Sequence, residues 1–491
     1  MSIRDGRSEV FGPLYRQKKL IEQMICSADE TISETSNSYS AIHNNAKYSN
    51  SLDGSSSKPS WKVLIYDDIG RDIIAPLLRV AELRQLGVTL HMSLSNRRQA
   101  IPDVPAVYFV SPTADNIQKL NEDCKNQLYD SMWIHFTSSI PRVLLELLAQ
   151  GCGNDSQRIM KVYDMYSSFI SLEKTLFTLH MQKSYAALNQ PRMSDRDIEK
   201  MMESVVTGLL SALITMKIVP IIRAQKGGPS EMVARMLSDR IRELAVGRNS
   251  VFSDALSTPN TERPLLLLLD RNIDLSVMLH HTWTYQALGH DVLQLHLNRI
   301  TLPKTISDGF RNAKSYDLDS NDEFWAVNAG RPFPQVAEAV ESALADYKKD
   351  VDAVNRQAGA VGDVLDEARL EAADHASSEA LTKAVMQLPI LRKRKQTIDM
   401  HTNIATAMLD CIKDRGLDGF FQLEDQLMSA SSRANVDKNA VLALLKDQRG
   451  TPHDRMRLAL IYYLSATSAT ANEVLSECRN ALKLSGCEDL R

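Results

Sequence analysis

Cysteine is scarce in this chain: six thiols in 491 residues, Cys26, Cys124, Cys152, Cys411, Cys478 and Cys487, with no CxxC pair. A disulfide framework or a structural zinc needs closely spaced ligands, and Cys478–Cys487 has no histidine near enough to complete a set. Reduced thiols in a cytosolic compartment are therefore expected, with no metal. Net charge is also small, 57 Lys+Arg against 61 Asp+Glu giving −4, which offers no basic footprint for nucleic acid. Glycine-rich phosphate cradles are missing, with neither GxxxxGK[ST] nor GxGxxG after a strand. Neither a G-x-S-x-G elbow nor HExxH occurs, so the common hydrolase and zinc-protease machinery is excluded. Long hydrophobic runs are missing too. The best one, Val205–Ile222, is interrupted by Gly208, Lys217 and Pro220 and falls short of the roughly 20 apolar residues that cross a bilayer. It reads as a buried core helix. Basic residues near the start (Arg4, Arg7, Arg16, Lys18, Lys19) precede no apolar stretch of a secretory signal, so a soluble cytosolic protein is expected.

What is present is an ordinary globular composition, 44% hydrophobic and 24% charged, long enough for about three domains. Residues 13–26 form an amphipathic pattern with Leu14, Leu20, Ile21, Met24 and Ile25 on one side, so 1–26 is read as an N-terminal amphipathic helix. Residues 27–60 hold eleven serines and four asparagines in 34 positions. Such a segment cannot bury enough apolar surface to offset its ordering entropy, and a flexible linker is expected.

From Trp61 the pattern alternates. Apolar runs at Lys62–Tyr66, Val88–Met92, Ala106–Val110 and Met132–Phe136 are separated by helical stretches at Ile73–Leu86, around Ile117 and Leu120, and at Pro141–Gln150. Unbroken apolar strands alternating with helices predict an α/β domain on a parallel sheet covered on both faces, residues 61–152. Residues 153–281 predict a second α/β domain, mainly helical, with buried strands at Ile218–Arg223 and Arg263–Asp270. Residues 282–491 predict a mainly helical third domain. Within it Leu391, Ile398, His401, Ala405, Met408 and Ile412 step by 7, 3, 4, 3 and 4 along Leu388–Lys413, a coiled-coil-like seam. The stretch before it, 334–375, is acidic and alanine-rich.

Chemistry-bearing candidates are few. Lys226-Gly227-Gly228-Pro229-Ser230 between a strand and a helix could offer amides to an anion, or could be a tight turn with Pro229 at the first helical position. Asp270 and Asp274 could act as paired carboxylates, or could cap the turn and the helix that follows. Together these support one enzymatic alternative, a nucleotide- or sugar-phosphate-binding α/β enzyme. His280 and His281 are adjacent, and on a helix they would point about 100° apart, unable to share an ion. Arg392-Lys393-Arg394-Lys395 suits a solvated helix face. No residue set carries catalysis and none implies a cofactor. What remains are apolar helix faces that could receive a helix or a peptide.

Several longer motifs in order resemble the SM family, the Sec/Munc-like syntaxin-binding proteins of vesicle fusion. They are Tyr108-Phe109-Val110-Ser111-Pro112-Thr113 with Asn116-Ile117, Phe136-Thr137-Ser138-Ser139-Ile140-Pro141-Arg142 with Leu144-Leu145-Glu146, and Pro220-Ile221-Ile222-Arg223-Ala224 with Lys226–Pro229. Leu269–Asp274 followed by Thr282-Trp283-Thr284-Tyr285-Gln286-Ala287 completes the set, and the combination is similar to the ER–Golgi branch, the Sly type. The resemblance implies a three-domain arch, α/β plus α. It implies a non-enzymatic role: binding a syntaxin-type Qa-SNARE and other SNAREs, templating their assembly in ER–Golgi transport, and meeting membranes peripherally through those partners. It implies that the syntaxin's N-terminal peptide docks outside the first domain on Leu145, Leu148 and Ala149 of one helix and Ile159, Val162 and Tyr163 of the next. The same spacing is equally that of ordinary core packing. A SNARE-contacting hairpin at about 334–412 is expected, with Leu391, Ile398 and Met408 on its contacting helix. By the same resemblance, chains of this kind continue beyond Cys487 with a segment that completes the second domain's sheet, so an incompletely covered sheet at Ile218–Arg223 and Leu265–Leu269 is expected here.

Overall fold

The structure, a computed structural model, describes residues 12–29, 61–246, 251–252, 263–302, 314–318, 322–359, 370–429, 431, 433, 436–467 and 470–484. Beyond Asp29 the expected linker lies outside the described residues. The chain divides into two compact units, Met1–Ile273 and Asp274–Arg491.

The first unit opens with helix α1 (Pro13–Cys26), followed after the gap by strand β1 (Lys62–Tyr66). Next come α2 (Asp68–Ile74), α3 (Val80–Gln85), β2 (Val88–Ser93), β3 (Ala106–Val110), α4 (Ala114–Lys125), β4 (Met132–Phe136), α5 (Arg142–Cys152) and β5 (Ile159–Asp164). The five strands form one parallel sheet in the order β2-β1-β3-β4-β5. β3 and β4 are buried at every position, which is why their sequences are apolar without alternation. One face carries Tyr108, Val110, Met132, Ile134 and Phe136 against Ile117, Leu120 and Leu148. The single helix expected at Ile73–Leu86 is two short ones. Ala75 is still helical as the C-cap, but Pro76 has no amide hydrogen to carry the hydrogen-bond ladder onward, so the helix stops and a second one starts at Val80.

At the carboxyl ends of β1 and β3, the Asp67 carboxylate accepts from the amides of Gly70 (2.7 Å) and Ser111 (2.8 Å) and from Asn116 Nδ2 (2.9 Å). This ties the two loops where strand order reverses. A second polar tie is buried. Arg98 Nη2 donates to both oxygens of Asp123 at 2.6 and 2.7 Å, and Tyr108 Oη donates to the same carboxylate at 2.9 Å.

Residues 153–262 were expected to be mainly helical, yet β5 lies there, with β6 (Ile170–Glu173) and β7 (Leu176–Thr178). Helix α6 (Ser184–Leu188), the long α7 (Asp195–Met216), β8 (Ile221–Ala224), α8 (Pro229–Ala245) and β9 (Leu265–Leu268) follow. α7 is the expected core helix, with Val206, Leu210, Leu213 and Ile214 buried against Val233, Leu237 and Ile241. Among the described residues no helix is long and apolar enough to cross a membrane. β8 and β9 pair in parallel. The apolar run alone predicted a buried strand at Arg263–Asp270, and the resemblance predicted an incompletely covered sheet there. Leu266 and Leu268 pack on the α7–α8 core, while Leu265 (63% exposed), Leu267 (57%) and Leu269 turn away from it, so only one face is buried.

Helix α1 is anchored by a buried glutamine. Gln17 Nε2 donates to Phe169 O (2.6 Å) and Ser167 Oγ (3.0 Å), and Gln17 Oε1 accepts from Ser171 N (3.2 Å). Ile21, Met24 and Ile25 are buried beside it, as the amphipathic pattern required.

The second unit begins with α9 (Leu275–Leu279) and α10 (Tyr285–Val292), then an antiparallel sheet of β10 (Gln294–His296), β11 (Arg299–Thr301) and β12 (Ser315–Asp317) that sequence reading did not anticipate. Helices α11 (Glu323–Asn328), α12 (Phe333–Gly359), α13 (Leu370–Arg415), α14 (Leu417–Met428), α15 (Lys438–Lys446), α16 (Pro452–Ser465) and α17 (Ala471–Leu484) complete it. Its core joins Tyr285, Leu288, Trp325, Val336, Ile404, Met408, Phe420 and Leu458.

Candidate functional site

Helix α5 starts where the β4–α5 loop is held by Asp164, whose carboxylate accepts from Ser139 Oγ (2.8 Å) and the Ile140 amide (3.1 Å). Pro141 precedes the first helical residue, and Gly153, at φ +52°, ends the helix in a conformation that side chains other than glycine's disfavour. Leu144, Leu148 and Cys152 lie one helical turn apart and face the sheet. Leu148 is 2% exposed and part of the core, whereas Leu145 is 42% exposed and Ala149 lies on the surface with Val143 and Leu147. The expected stripe is therefore split: Leu145 and Ala149 present apolar surface, and Leu148 is the floor beneath them. A lysine at 148 would place its charge on the sheet core, so Leu148→Lys would disturb the fold as well as the surface.

Ile159, Val162 and Tyr163 are not on a second helix. They belong to edge strand β5, and the register shows why the spacing looked helical. Ile159 pairs with Met132 but Lys161 pairs with Trp133, so Met160 is an extra residue in the strand. That bulge resets the two-residue alternation, bringing Ile159 and Val162, three apart, to the face that carries Met132 and Ile134. Tyr163 falls on the opposite face. Its ring stacks on His135 at 4.9 Å between centroids, and Lys161 on that side lies 5.5 Å over Trp133. The structure thus brings Leu145, Ala149, Leu148, Ile159 and Val162 to one face of the sheet and separates Tyr163 from them. Sequence reasoning missed Met160, exposed at the bulge; nothing in a single sequence marks it.

Burial of His135 pulls its imidazole down to about 3, so the ring is neutral between Tyr163 and Ser27, whose Oγ lies 3.3 Å from Nε2.

The seam on α13 is real but turned inward. Ile398, His401, Met408 and Ile412 are buried, Met408 completely, and Leu391 is half-buried. This corrects Ile398 and Met408 as partner contacts, because both already pack within the unit. His401 Nδ1 meets Tyr285 Oη at 2.9 Å, and its Nε2 meets Asp322 Oδ2 at 2.9 Å. Among the described residues the exposed large apolar side chains of α13 include Leu409 and, just before the basic run, Met386, Leu388 and Ile390; of that run, Arg394 bonds Asp350 on α12.

The enzymatic alternative meets an occupied site. The amides at the start of α8 are taken by carboxylates: Gly227 N donates to Glu231 Oε2 (2.8 Å) and Ser230 N to Asp270 Oδ1 (2.9 Å). A Cβ on Gly228 would come within 2.1 Å of Asp270 Oδ2, so the turn closes tightly over that carboxylate. A phosphate there would face two negative side chains. Asp274 caps α9 through the Ser276 amide at 2.9 Å. Among the described residues no group of His, Cys, Asp and Glu could hold a metal ion.

The chain is similar to known proteins over most of its length. The Sec1 family pattern matches residues 62–488. The "Sec1 family domain-containing protein 1" of Mus musculus is 44% identical over 453 residues, covering 88% of this chain and 70% of that protein. "Protein sly1" of Schizosaccharomyces pombe is 41% identical over 432 residues, covering 87% of this chain and 65% of that one. The crystal structure of Sly1p in complex with an N-terminal peptide of Sed5p superposes with a TM-score of 0.70 at 31% identity, covering 97% of this chain and 74% of that one.

Proposed function

The chain belongs to the Sec1 family, and we propose that it binds a syntaxin-type Qa-SNARE and promotes SNARE assembly in ER–Golgi transport without catalysing a covalent reaction. Its residence at ER and Golgi membranes is then peripheral, through its partners. The observation that carries this reading is the apolar outer surface of α5, Leu145 and Ala149 over Leu148, in a chain 31% identical to a protein solved with an N-terminal Sed5p peptide. An amphipathic peptide needs such a surface: apolar residues one turn apart, rigidly held, with a polar rim. Arg142 and Glu146 form that rim and pair with each other at 2.9 Å. SNARE helices would meet the second unit at Met386, Leu388 and Ile390 beside the basic run, since the seam residues Ile398 and Met408 are spent on the core.

Titration of the N-terminal peptide of an ER–Golgi Qa-SNARE into the wild type and into Leu145→Lys tests the docking face. Leu145 is exposed, so the variant should melt within a degree or two of the wild type while losing at least tenfold in affinity. Equal affinity in both proteins would sink the assignment of α5.

A further inference from the structure

His281 is fully buried, and both of its ring nitrogens face carboxylate oxygens. Nδ1 lies 2.8 Å from Glu424 Oε1 on α14, and Nε2 lies 3.2 Å from Asp454 Oδ1 on α16. The His281 backbone amide donates to the other Glu424 oxygen at 2.8 Å. Carboxylate oxygens only accept, whereas a neutral imidazole has one donor and one acceptor. Asp454 also accepts from Arg415 Nη2 (2.5 Å) and Nε (3.1 Å) and from the Thr451 amide (2.8 Å), which fixes it as an anion and makes Nε2 a donor toward it. Nδ1 and Glu424 then need one more proton between them. Without it two lone pairs confront each other at 2.8 Å in a site closed to water.

We propose that His281 is a buried imidazolium that latches the opening segment of the second unit, Asp274–Thr284, onto α14 and α16, and that loss of its proton as pH rises loosens this latch. The charged groups around it are consistent with a neutral cluster when the proton is present: His281 and Arg415 against Glu424 and Asp454. Arg457 lies beside them, engaged with both oxygens of Asp291 at 2.8 Å and with the carbonyls of Leu279 (2.5 Å) and His280 (2.9 Å), so it reinforces the segment. The adjacent His280 feels Glu424, Asp425, His281 and Arg457. Burial lowers His280, which keeps a second positive charge away from the ring. For His281, burial alone would lower the ring, but its bonds to Asp454 and Glu424 outweigh it and the net shift is upward from 6.5. Asp454 is held well below 3.8: burial opposes ionisation there, and the bonds from His281, Arg415 and Thr451 overcome it.

The signs follow. A raised histidine contributes stability that is complete below about 6.5 and is lost as pH rises through its folded value. A depressed carboxylate contributes above about 3.8 and is lost only in stronger acid. The latch is therefore tightest between these limits.

Glu424→Gln is the discriminating variant. A glutamine in the same place accepts from the His281 amide through its oxygen and donates to Nδ1 through its NH2, satisfying a neutral ring with no extra proton. Hydrogen exchange at the amides of 279–284, corrected for intrinsic rates, should lose up to tenfold protection per pH unit above the folded value in the wild-type chain, as linkage of one proton requires. The same amides should show a flat profile in Glu424→Gln. Nitrogen NMR of histidine-labelled wild type should show one ring protonated on both nitrogens at pH 6.5, a reading that holds even if the variant fails to fold. A neutral tautomer at that pH, or parallel profiles in the two proteins, would overturn the proposal.

Discussion

Strand β4 has neighbours on both edges and cover on both faces, and all five of its residues are buried. Strand β9, among the described residues, pairs only with β8 and has helices on one face only. β9, four leucines, is the more apolar of the two, since β4 includes Trp133 and His135. Hydrophobicity sets how much a strand gains from cover, but the neighbouring elements decide whether cover exists. In the first unit's large sheet, helices α4 and α5 close one face. Around β8 and β9, α7 and α8 close one face and leave Ile221, Leu265 and Leu267 exposed in a contiguous row. Patches of this kind are rare on monomeric proteins and are where other surfaces attach.

The comparison is broken most severely by emptying the covered sheet. Phe109 is fully buried in β3, on the face opposite Tyr108. Phe109→Ala should destabilise the first unit by about 3–5 kcal/mol, through lost burial plus the cavity left behind. Chemical denaturation monitors this directly, and a loss under about 1 kcal/mol would mean that the sheet is not the tightly packed element described.

A smaller effect tests how α1 is attached. Gln17→Ala leaves the Ser171 amide and the Phe169 carbonyl without their buried partner, which costs about 1–3 kcal/mol for each group that water cannot reach. Limited proteolysis between α1 and β1 should accelerate in the variant. An unchanged cleavage rate together with an unchanged melting point would show that Ile21, Met24 and Ile25 alone hold the helix.

Much of this was legible in the sequence where one local rule governs. The strands at Lys62–Tyr66, Ala106–Val110 and Met132–Phe136 and the helix over Pro13–Cys26 follow from period and composition. The inward seam of α13 was legible as a seam, but its direction was not: Ile398 and Met408 could have faced a partner or a core, and only tertiary packing chose the core. Strand β5 was read as a helix because its bulge at Met160 imitates a three-residue spacing, and a bulge is set by the partner strand rather than by the residues themselves. The latch at His281 joins positions 281, 415, 424 and 454, too far apart in sequence for any spacing rule to connect. On the candidate docking face, Leu145 and Ala149 were identifiable, while the burial of Leu148 and the reversal of Tyr163 needed the sheet.

The smallest expected change in stability sharpens the comparison from the other side. Leu265 and Leu267 project from β9 away from the α7–α8 core, so replacing both with serine removes little packing and should shift stability by no more than about 0.5 kcal/mol. Their contribution lies between molecules. A row of exposed leucines beside Ile221 is attractive to any second apolar surface, including the same row on another copy, and among the described residues no third strand pairs with either edge of this sheet. Sedimentation velocity over rising concentration should show the wild type self-associating and Leu265→Ser/Leu267→Ser remaining closer to a single species. Leu266→Ser is the matched control, because Leu266 faces the core one residue away and its loss should lower the melting point without reducing association. If the outward pair destabilised the chain as much as Leu266→Ser does, the outward face of β9 would have to be covered, and the asymmetry between the two sheets would disappear.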